Sequence, residues 1–214
     1  MTVALSYFEH LYASHPDPWR FDERWYERRK HALTVASLPR PGYRRAFEPA
    51  CANGRLTSLL APRCAQLLAV DAILAPVERA RRRLADQPHV QVERRRLPRE
   101  WPCRSFDLIV LSEFLYYFGP GELSRVLARV RASLEPGGTV LAVHWRHPVA
   151  EYPCSGDDVH RRLRSEPGLF TLAHHEEADF LLDVLVTGDG GGPPQSVAAA
   201  SGLVGGATGG GARS

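Results

Sequence analysis

A turn of small residues follows an acidic residue in the stretch FEPACANGRLTSLLA, residues 47–61. After Glu48, small residues occupy every second position, as Ala50, Ala52 and Gly54. Small side chains let a ligand approach the backbone, and the N–H groups at the start of the next helix can bind an anionic group. The stretch therefore predicts a cofactor loop, in which Glu48 either contacts the cofactor or holds the turn.

The glycine positions of this loop distinguish two kinds of cofactor. A dinucleotide fold requires G-x-G-x-x-G, and the matching residues here are Ala50, Ala52 and Arg55. An arginine cannot replace the glycine that allows close helix packing. The S-adenosylmethionine pattern needs only an acid followed by small residues, and a cofactor without a pyrophosphate needs fewer glycines at positive φ. The loop therefore favours S-adenosylmethionine over a nicotinamide dinucleotide.

Polar residues also follow two apolar strands that we predict later in the chain. Asp71 comes directly after QLLAV, residues 66–70, and can accept hydrogen bonds from both ribose hydroxyls of a nucleoside. Ser112 ends FDLIVLS, residues 106–112, and is expected to contact the cofactor. Glu113 follows it and can bind a substrate amine, accept its proton, or cap the next helix.

Aromatic residues lie close to these positions in the predicted fold. Tyr116 and Tyr117 can line an acceptor pocket or simply pack in the core. Trp19 and Tyr26, in an aromatic N-terminal segment, can form a lid that stacks on adenine or on a sugar face, or pack within that segment. All four are predicted to contact the substrate.

Histidines supply the remaining candidates. His144 ends the fifth strand and is expected to face the site as a base, with a half-buried structural role as the alternative, and His147 is a further substrate-binding candidate. His160 stands near Asp157 and Asp158, but three such donors in one loop make a poor zinc site. We therefore expect no metal.

The elements that must position these residues alternate between strand and helix patterns over residues 43–145, which predicts a parallel sheet with right-handed crossovers. Two later apolar runs, 170–173 and 180–185, can add antiparallel strands. The predicted fold is α/β, a Rossmann-like, mainly parallel seven-stranded sheet flanked by helices. An N-terminal helical cap covers residues 1–40, and the cofactor-binding core covers 41–186.

Residues 187–214 differ from the rest, because they hold 10 of the 18 glycines and only two charged residues. Such a composition cannot offset the entropy of ordering the backbone, so it predicts a disordered tail without regular structure or function.

Composition excludes several classes of function. The net charge of +3 is too small to indicate a nucleic-acid partner. The first residues do not resemble a signal peptide, and no apolar run is long enough to span a membrane, so we expect no membrane partner. The four cysteines have no CxxC spacing, which argues against a zinc site or a redox pair. The expected location is the cytoplasm.

Five stretches resemble the nodulation S (NodS) family of S-adenosylmethionine-dependent methyltransferases. They are DPWRFDERWYERRKHAL (17–33), FEPACANGRLTSLLAPRC (47–64), FDLIVLSEFLYYF (106–118), LEPGGTVLAVHWRHP (134–148) and SGDDVH (155–160). The resemblance implies a class I methyltransferase fold, S-adenosylmethionine as cofactor, and N-methylation of an amine on a small molecule. In the family that amine belongs to the glucosamine of a deacetylated chitooligosaccharide.

Two departures from the family pattern bear on cofactor affinity. Ala50 and Ala52 stand where a methyltransferase loop usually has glycine, and Arg95 and Arg96 stand where many relatives have an aspartate for the adenine amine. Adenine is then expected to contact the backbone and the surroundings of Leu97. An O- or C-methyltransferase and a non-catalytic binding protein stay open as alternatives.

Overall fold

A computed structural model of the 214-residue chain describes residues 2–188 and 194–204. The helices in these ranges are α1 Leu5–Ser14, α2 Trp25–Ala36, α3 Arg55–Leu60, α4 Leu74–Arg83, α5 Pro120–Ser133, α6 Gly156–Arg164 and α7 Val197–Ala200. The strands are β1 Ala46–Pro49, β2 Leu67–Asp71, β3 Val90–Arg94, β4 Phe106–Ser112, β5 Leu134–Trp145, β6 Leu169–Glu176 and β7 Phe180–Thr187.

The strands form one sheet in the order β3-β2-β1-β4-β5-β7-β6. Strands β1 to β5 pair in parallel, and β7 lies antiparallel between β5 and β6. The predicted seven-stranded, mainly parallel sheet is therefore confirmed. The strand order reverses between β1 and β4, and ligands bind at such a point, beyond the carboxyl ends of the strands.

The central strands of the sheet are buried on both faces. Neighbouring residues of a strand point to opposite faces, and on β4 Ile109 packs into a core that includes residues of α5 and α6. Leu108 packs into a second core, which includes residues of α3. This explains why β4 is a continuous apolar run rather than an alternating one.

Strand β1 starts at Ala46, because Tyr43 forms only an isolated bridge with Cys64. Strand β5 starts at Leu134, directly after α5. Pro76, the third residue of α4, lies in the first turn of that helix.

Helix α6 is absent from the sequence prediction, which placed residues 157–160 in a loop. Its start carries a capping box, in which the Ser155 hydroxyl accepts a hydrogen bond from the Asp158 N–H and the Asp158 carboxylate accepts one from the Ser155 N–H. A serine followed three residues later by an acid is the sequence signal for this helix start.

The predicted tail, residues 187–214, is described only in part. Strand β7 ends at Thr187, and residues 189–193 and 205–214 lie outside the described residues. The expectation of no regular structure is wrong for α7, a single turn without buried residues, in which the Ser196 hydroxyl accepts a hydrogen bond from the Ala199 N–H. The domain boundaries stay a prediction. Among the described residues, no helix has the length and hydropathy needed to span a bilayer.

Candidate active site

A cavity of about 510 Å³ opens at the carboxyl ends of β1, β2 and β4. Residues that follow these strands line it, with Ala50 after β1, Asp71 at the end of β2 and Glu113 after β4. Trp19 and Tyr26 from the N-terminal cap line it as well. Its volume lies within the range of small-molecule and cofactor sites, which is roughly 300–1,000 Å³.

The turn after β1, residues 50–54, will be called the small-residue turn. Ala50, Ala52 and Gly54 all adopt positive φ, at 57°, 49° and 77°. The loop uses a single glycine, and its two alanines take the left-handed conformation as well. That conformation costs an alanine roughly 1–2 kcal/mol. Both alanines line the cavity, and the side chain of each is a single methyl group.

Gly54 serves helix packing rather than the cavity wall. A Cβ built on it would lie 2.9 Å from the Cβ and 3.1 Å from the Cα of Ala80 on α4. The one glycine of the turn is therefore required where α3 and α4 meet, and the structure does not bring the predicted contact residue Gly54 to the cavity.

Glu48 also lies behind the cavity wall. It is 2% exposed, and its Oε2 has no hydrogen-bond partner among the described residues. Burial raises the pKa of Glu48 to about 8. Its predicted direct contact with a cofactor finds no support in this geometry.

Asp71 connects the small-residue turn to the turn after β2. Its Oδ2 accepts a hydrogen bond from the Ala52 N–H at 3.0 Å, and its Oδ1 accepts one from the Ile73 N–H at 3.0 Å. Burial raises the pKa of Asp71, against the effect of these N–H groups. Each carboxylate oxygen has a second lone pair, so Asp71 can accept further hydrogen bonds on the cavity side.

Glu113 is held from three directions. Its Oε1 accepts a hydrogen bond from Lys30 Nζ at 2.6 Å, and its Oε2 accepts one from the Trp145 N–H at 3.0 Å and another from the Tyr116 hydroxyl. Burial alone would raise the pKa of Glu113, but Lys30 and these donors lower it below its ordinary value. Glu113 is therefore a fixed, ionised carboxylate in the cavity wall.

Lys30, the chain's single lysine, links Glu113 to a second carboxylate. Lys30 is 3% exposed, and its Nζ lies 3.1 Å from Glu27 Oε2. Burial opposes its charge, but Glu113 and Glu27 outweigh burial and raise the pKa of Lys30. Lys30, Glu27 and Glu113 will be called the Lys30 cluster, and all three line the cavity.

Sequence reasoning missed Glu27 and Lys30, although their spacing along α2 offers a signal in the sequence. The buried residues of α2 are Glu27, Lys30, His31 and Thr34. They recur at i, i+3, i+4 and i+7, the spacing of one helix face. A polar face of this kind is normally solvated, and here it is turned inward.

His144 does not face the cavity, so that prediction is wrong. Its side chain is fully buried, its Nε2 accepts a hydrogen bond from the Leu115 N–H at 3.1 Å, and its Nδ1 lies 3.0 Å from His160 Nε2. Nδ1 of His160 in turn lies 2.7 Å from Asp183 Oδ2. The Leu115 bond places the His144 proton on Nδ1, and burial lowers the pKa of His144. His160, expected in a loop, thus belongs to a buried chain behind the site.

Two other predicted residues also lie outside the cavity lining. The His147 Nε2 lies 2.7 Å from Asp179 Oδ1 at the surface, and His147 contributes only to a smaller cavity of about 160 Å³. Ser112 is not part of either cavity wall.

The four aromatic residues predicted to contact the substrate all line the cavity, and together they form what we call its aromatic wall. Trp19, Tyr26, Tyr116 and Tyr117 line the cavity, as does Leu97. Further aromatic residues that sequence reasoning missed also line the cavity, among them Phe8, Tyr12, Phe21 and Tyr152. The ring of Tyr152 stacks on that of Tyr116 at 4.8 Å between centroids.

Residues 9–148 match the family described as Nodulation protein S (NodS). The chain belongs to the NodS family. It is 35% identical over 124 residues to Nodulation protein S of Rhizobium tropici, a match that covers 57% of this chain and 52% of that protein. The chain thus spans about half the length of the curated relative it matches. The predicted family is confirmed.

Two solved structures resemble this NodS-family chain. A putative methyltransferase from Pseudomonas syringae is 47% identical with a TM-score of 0.69, covering 76% of this chain and 99% of its own. The N-methyltransferase NodS from Bradyrhizobium japonicum WM9, in complex with S-adenosyl-L-homocysteine, is 25% identical with a TM-score of 0.76, covering 85% and 97%. The class I methyltransferase fold predicted from the sequence is confirmed.

Proposed function

We propose that this chain is an S-adenosylmethionine-dependent methyltransferase that N-methylates an amine-bearing small molecule, such as an amino sugar or an oligosaccharide. The observation that carries the proposal is one continuous cavity. It joins the small-residue turn and Asp71 on one side to Glu113 and Tyr116 on the other. Transfer between two bound molecules requires both to occupy the same enclosed space.

The residues of the cavity suit S-adenosylmethionine. The left-handed conformation of Ala50 and Ala52 shapes the turn as glycines would, and their methyl groups leave room beside the backbone. Asp71 offers a carboxylate for the ribose hydroxyls, and Leu97 gives an apolar surface for adenine. When bound, this cofactor supplies a methyl group on a sulfonium, which is already activated for transfer. The demethylated cofactor in the B. japonicum relative supports the choice.

The opposite wall suits a cationic or amine-bearing acceptor. Glu113 is an ionised carboxylate there, and Tyr26, Tyr116 and Tyr117, whose rings are electron-rich, line the same cavity. Aromatic rings also stack against the apolar faces of sugars. The description of the B. japonicum relative as an N-methyltransferase agrees with nitrogen as the methylated atom.

Calorimetric titration with S-adenosylmethionine, S-adenosylhomocysteine and NAD in parallel tests the cofactor. We expect micromolar binding of the two sulfur compounds and none of NAD. Transfer of a labelled methyl group to glucosamine, with N-acetylglucosamine as the matched acceptor without a free amine, tests the reaction. Transfer to both sugars would favour an O- or C-methyltransferase, and failure to bind either sulfur compound would favour a non-catalytic binding protein.

A further inference from the structure

Glu27 occupies a place in the cavity that no catalytic role has yet explained. It lies in the first turn of α2, is 6% exposed, and lines the same space as Ala50, Asp71 and Glu113. It therefore shares one cavity with the turn proposed to hold the cofactor and with the wall proposed to hold the acceptor.

The two carboxylates of the Lys30 cluster differ in their hydrogen bonds. Glu113 accepts from Lys30, Tyr116 and the Trp145 backbone. Within residues 2–188 and 194–204, the one cation within 4 Å of the Glu27 carboxylate is Lys30, whose Nζ lies 3.1 Å from the buried Oε2. A general base must have a lone pair free for the proton that it takes. Glu27 is held by one group and Glu113 by three, so Glu27 has more of its lone pairs free for a proton.

The surroundings of the two carboxylates also shift their proton affinities in opposite directions. Burial raises the pKa of Glu27, the charge of Glu113 adds to this effect, and Lys30 and Arg24 oppose it, with a net increase. The pKa of Glu113 is lowered. A base works best when its pKa approaches the working pH, so the difference favours Glu27.

We propose that Glu27 accepts the proton of the acceptor ammonium, a role that rests on the methyltransferase function proposed above. One proton moves from the ammonium nitrogen to the Glu27 carboxylate, which leaves the nitrogen with a lone pair. That pair forms the N–CH₃ bond while the S–CH₃ bond breaks and leaves its electrons on sulfur. The products are an N-methylammonium ion and a thioether, and Lys30 and Glu113 stay charged throughout.

Glu27→Gln is the main test, with Glu113→Gln for comparison and Glu78→Gln, exposed on α4 and outside the cavity, as the matched control. For glucosamine as acceptor, we expect kcat/KM of Glu27→Gln to fall roughly 100-fold or more at pH 7, the typical effect of a general base. The defect should shrink as the pH rises above the pKa of the amine, because free neutral amine then needs no base. Glu27→Asp should recover part of the rate.

Two readouts do not depend on turnover. S-adenosylhomocysteine should bind to Glu27→Gln within about twofold of wild type, which separates a proton-transfer defect from a damaged cofactor site. The second readout is a pH titration of the wild-type protein labelled with ¹³C at the glutamate carboxyls. The Glu27 signal is assigned by its absence in Glu27→Gln. We expect the Glu27 carboxyl to titrate at a higher pH than the Glu113 carboxyl.

Three results would overturn the assignment. Glu27→Gln with the wild-type rate and pH profile would remove Glu27 as the base, and so would a carboxyl signal of Glu27 that titrates below that of Glu113. A defect of Glu27→Gln that is equal at all pH values would show a structural role. If the wild-type protein binds S-adenosylmethionine but methylates no amine, the proposed function itself fails.

Discussion

The small-residue turn and the Lys30 cluster line the same cavity, yet their residues come together in different ways. The turn is one short segment, held by a hydrogen bond from its own backbone to Asp71 on the next strand. The cluster joins Glu27 and Lys30 of α2 to Glu113, which lies 83 residues from Lys30 along the chain. The turn depends on backbone conformation, whereas the cluster depends on buried charges that compensate one another.

The largest effect should come from removing the only ammonium of the Lys30 cluster. Lys30→Met leaves two buried carboxylates facing each other, and the loss of one partner of a buried ion pair costs roughly 3–5 kcal/mol. Urea unfolding measures the loss. Because Glu113→Gln removes one of the stranded charges, the double variant Lys30→Met/Glu113→Gln should be more stable than Lys30→Met alone.

A surface ion pair provides the matched control for this change. Arg161 and Asp158 on α6 lie 2.8 Å apart with side chains 70% and 53% exposed. Exposed pairs contribute about 0–1 kcal/mol, so Arg161→Met should change the free energy of unfolding little. Equal losses for Lys30→Met and Arg161→Met would contradict a special role of burial in the Lys30 cluster.

Asp71 tests the turn side of the comparison. Asp71→Ala should weaken S-adenosylmethionine binding by roughly tenfold or more, because one charged hydrogen-bonding group is worth about 1.5–3 kcal/mol. Calorimetry measures the affinity, and Asp86→Ala, at an exposed position, is the control. An unchanged affinity for Asp71→Ala would remove Asp71 from both proposed tasks, the ribose contact and the support of the turn.

The two regions also differ in how far the sequence predicts them. Ala50, Ala52 and Asp71 line the cavity as predicted, because a strand, a turn and a helix are local patterns, and the switch-point rule places their ends together. The fold follows from the same patterns, except for α6, where a capping signal was overlooked. Lys30 and Glu27 were not found, because no local pattern shows that a polar helix face is turned toward a site formed by a distant strand. His144 was misplaced for a related reason.

That misplacement has a physical cause. The end of β5 lies at the correct edge of the sheet for a ligand site, but α6 covers it and supplies His160 as a partner for His144. Position along a strand predicts the edge of the sheet, while the packing of later helices decides which side chains of that edge stay open. The sequence could therefore predict the candidate residues, and only the structure could separate cavity from core.

The pH dependence of stability should also distinguish the two regions. Burial raises the pKa of Glu48, behind the small-residue turn, to about 8, and burial together with Lys30 lowers that of His31, beside the Lys30 cluster, to about 3. Glu48 therefore stabilises the fold less as the pH rises from about 4.5 toward 8. His31 destabilises it as the pH falls from about 6.5 toward 3. Each slope is about 1.4 kcal/mol per pH unit at most.

Urea unfolding at pH 5 and pH 7 separates these contributions. We expect Glu48→Gln to make the protein gain stability between pH 5 and pH 7 relative to wild type, by about 2 kcal/mol. His31→Gln should act in the opposite direction by a similar amount. Parallel profiles for the wild type and both variants would show that neither buried group has a shifted pKa.

The smallest expected effect concerns the strained alanines of the turn. Ala50→Gly or Ala52→Gly relieves roughly 1–2 kcal/mol of left-handed strain but adds about 0.5–1 kcal/mol of backbone entropy in the unfolded chain. Each variant should therefore gain about 0.5–1 kcal/mol of stability by these two terms, measured by urea unfolding.

Ala32→Gly, at an exposed position inside α2, is the control and should lose about 1 kcal/mol, because its backbone is already helical and glycine only adds disorder to the unfolded chain. The opposite signs matter more than the sizes, since the same substitution is compared in two backbone conformations. If Ala50→Gly destabilises as much as Ala32→Gly does, the methyl groups of the turn contribute contacts that outweigh the strain, and the turn would then depend on side chains as the Lys30 cluster does.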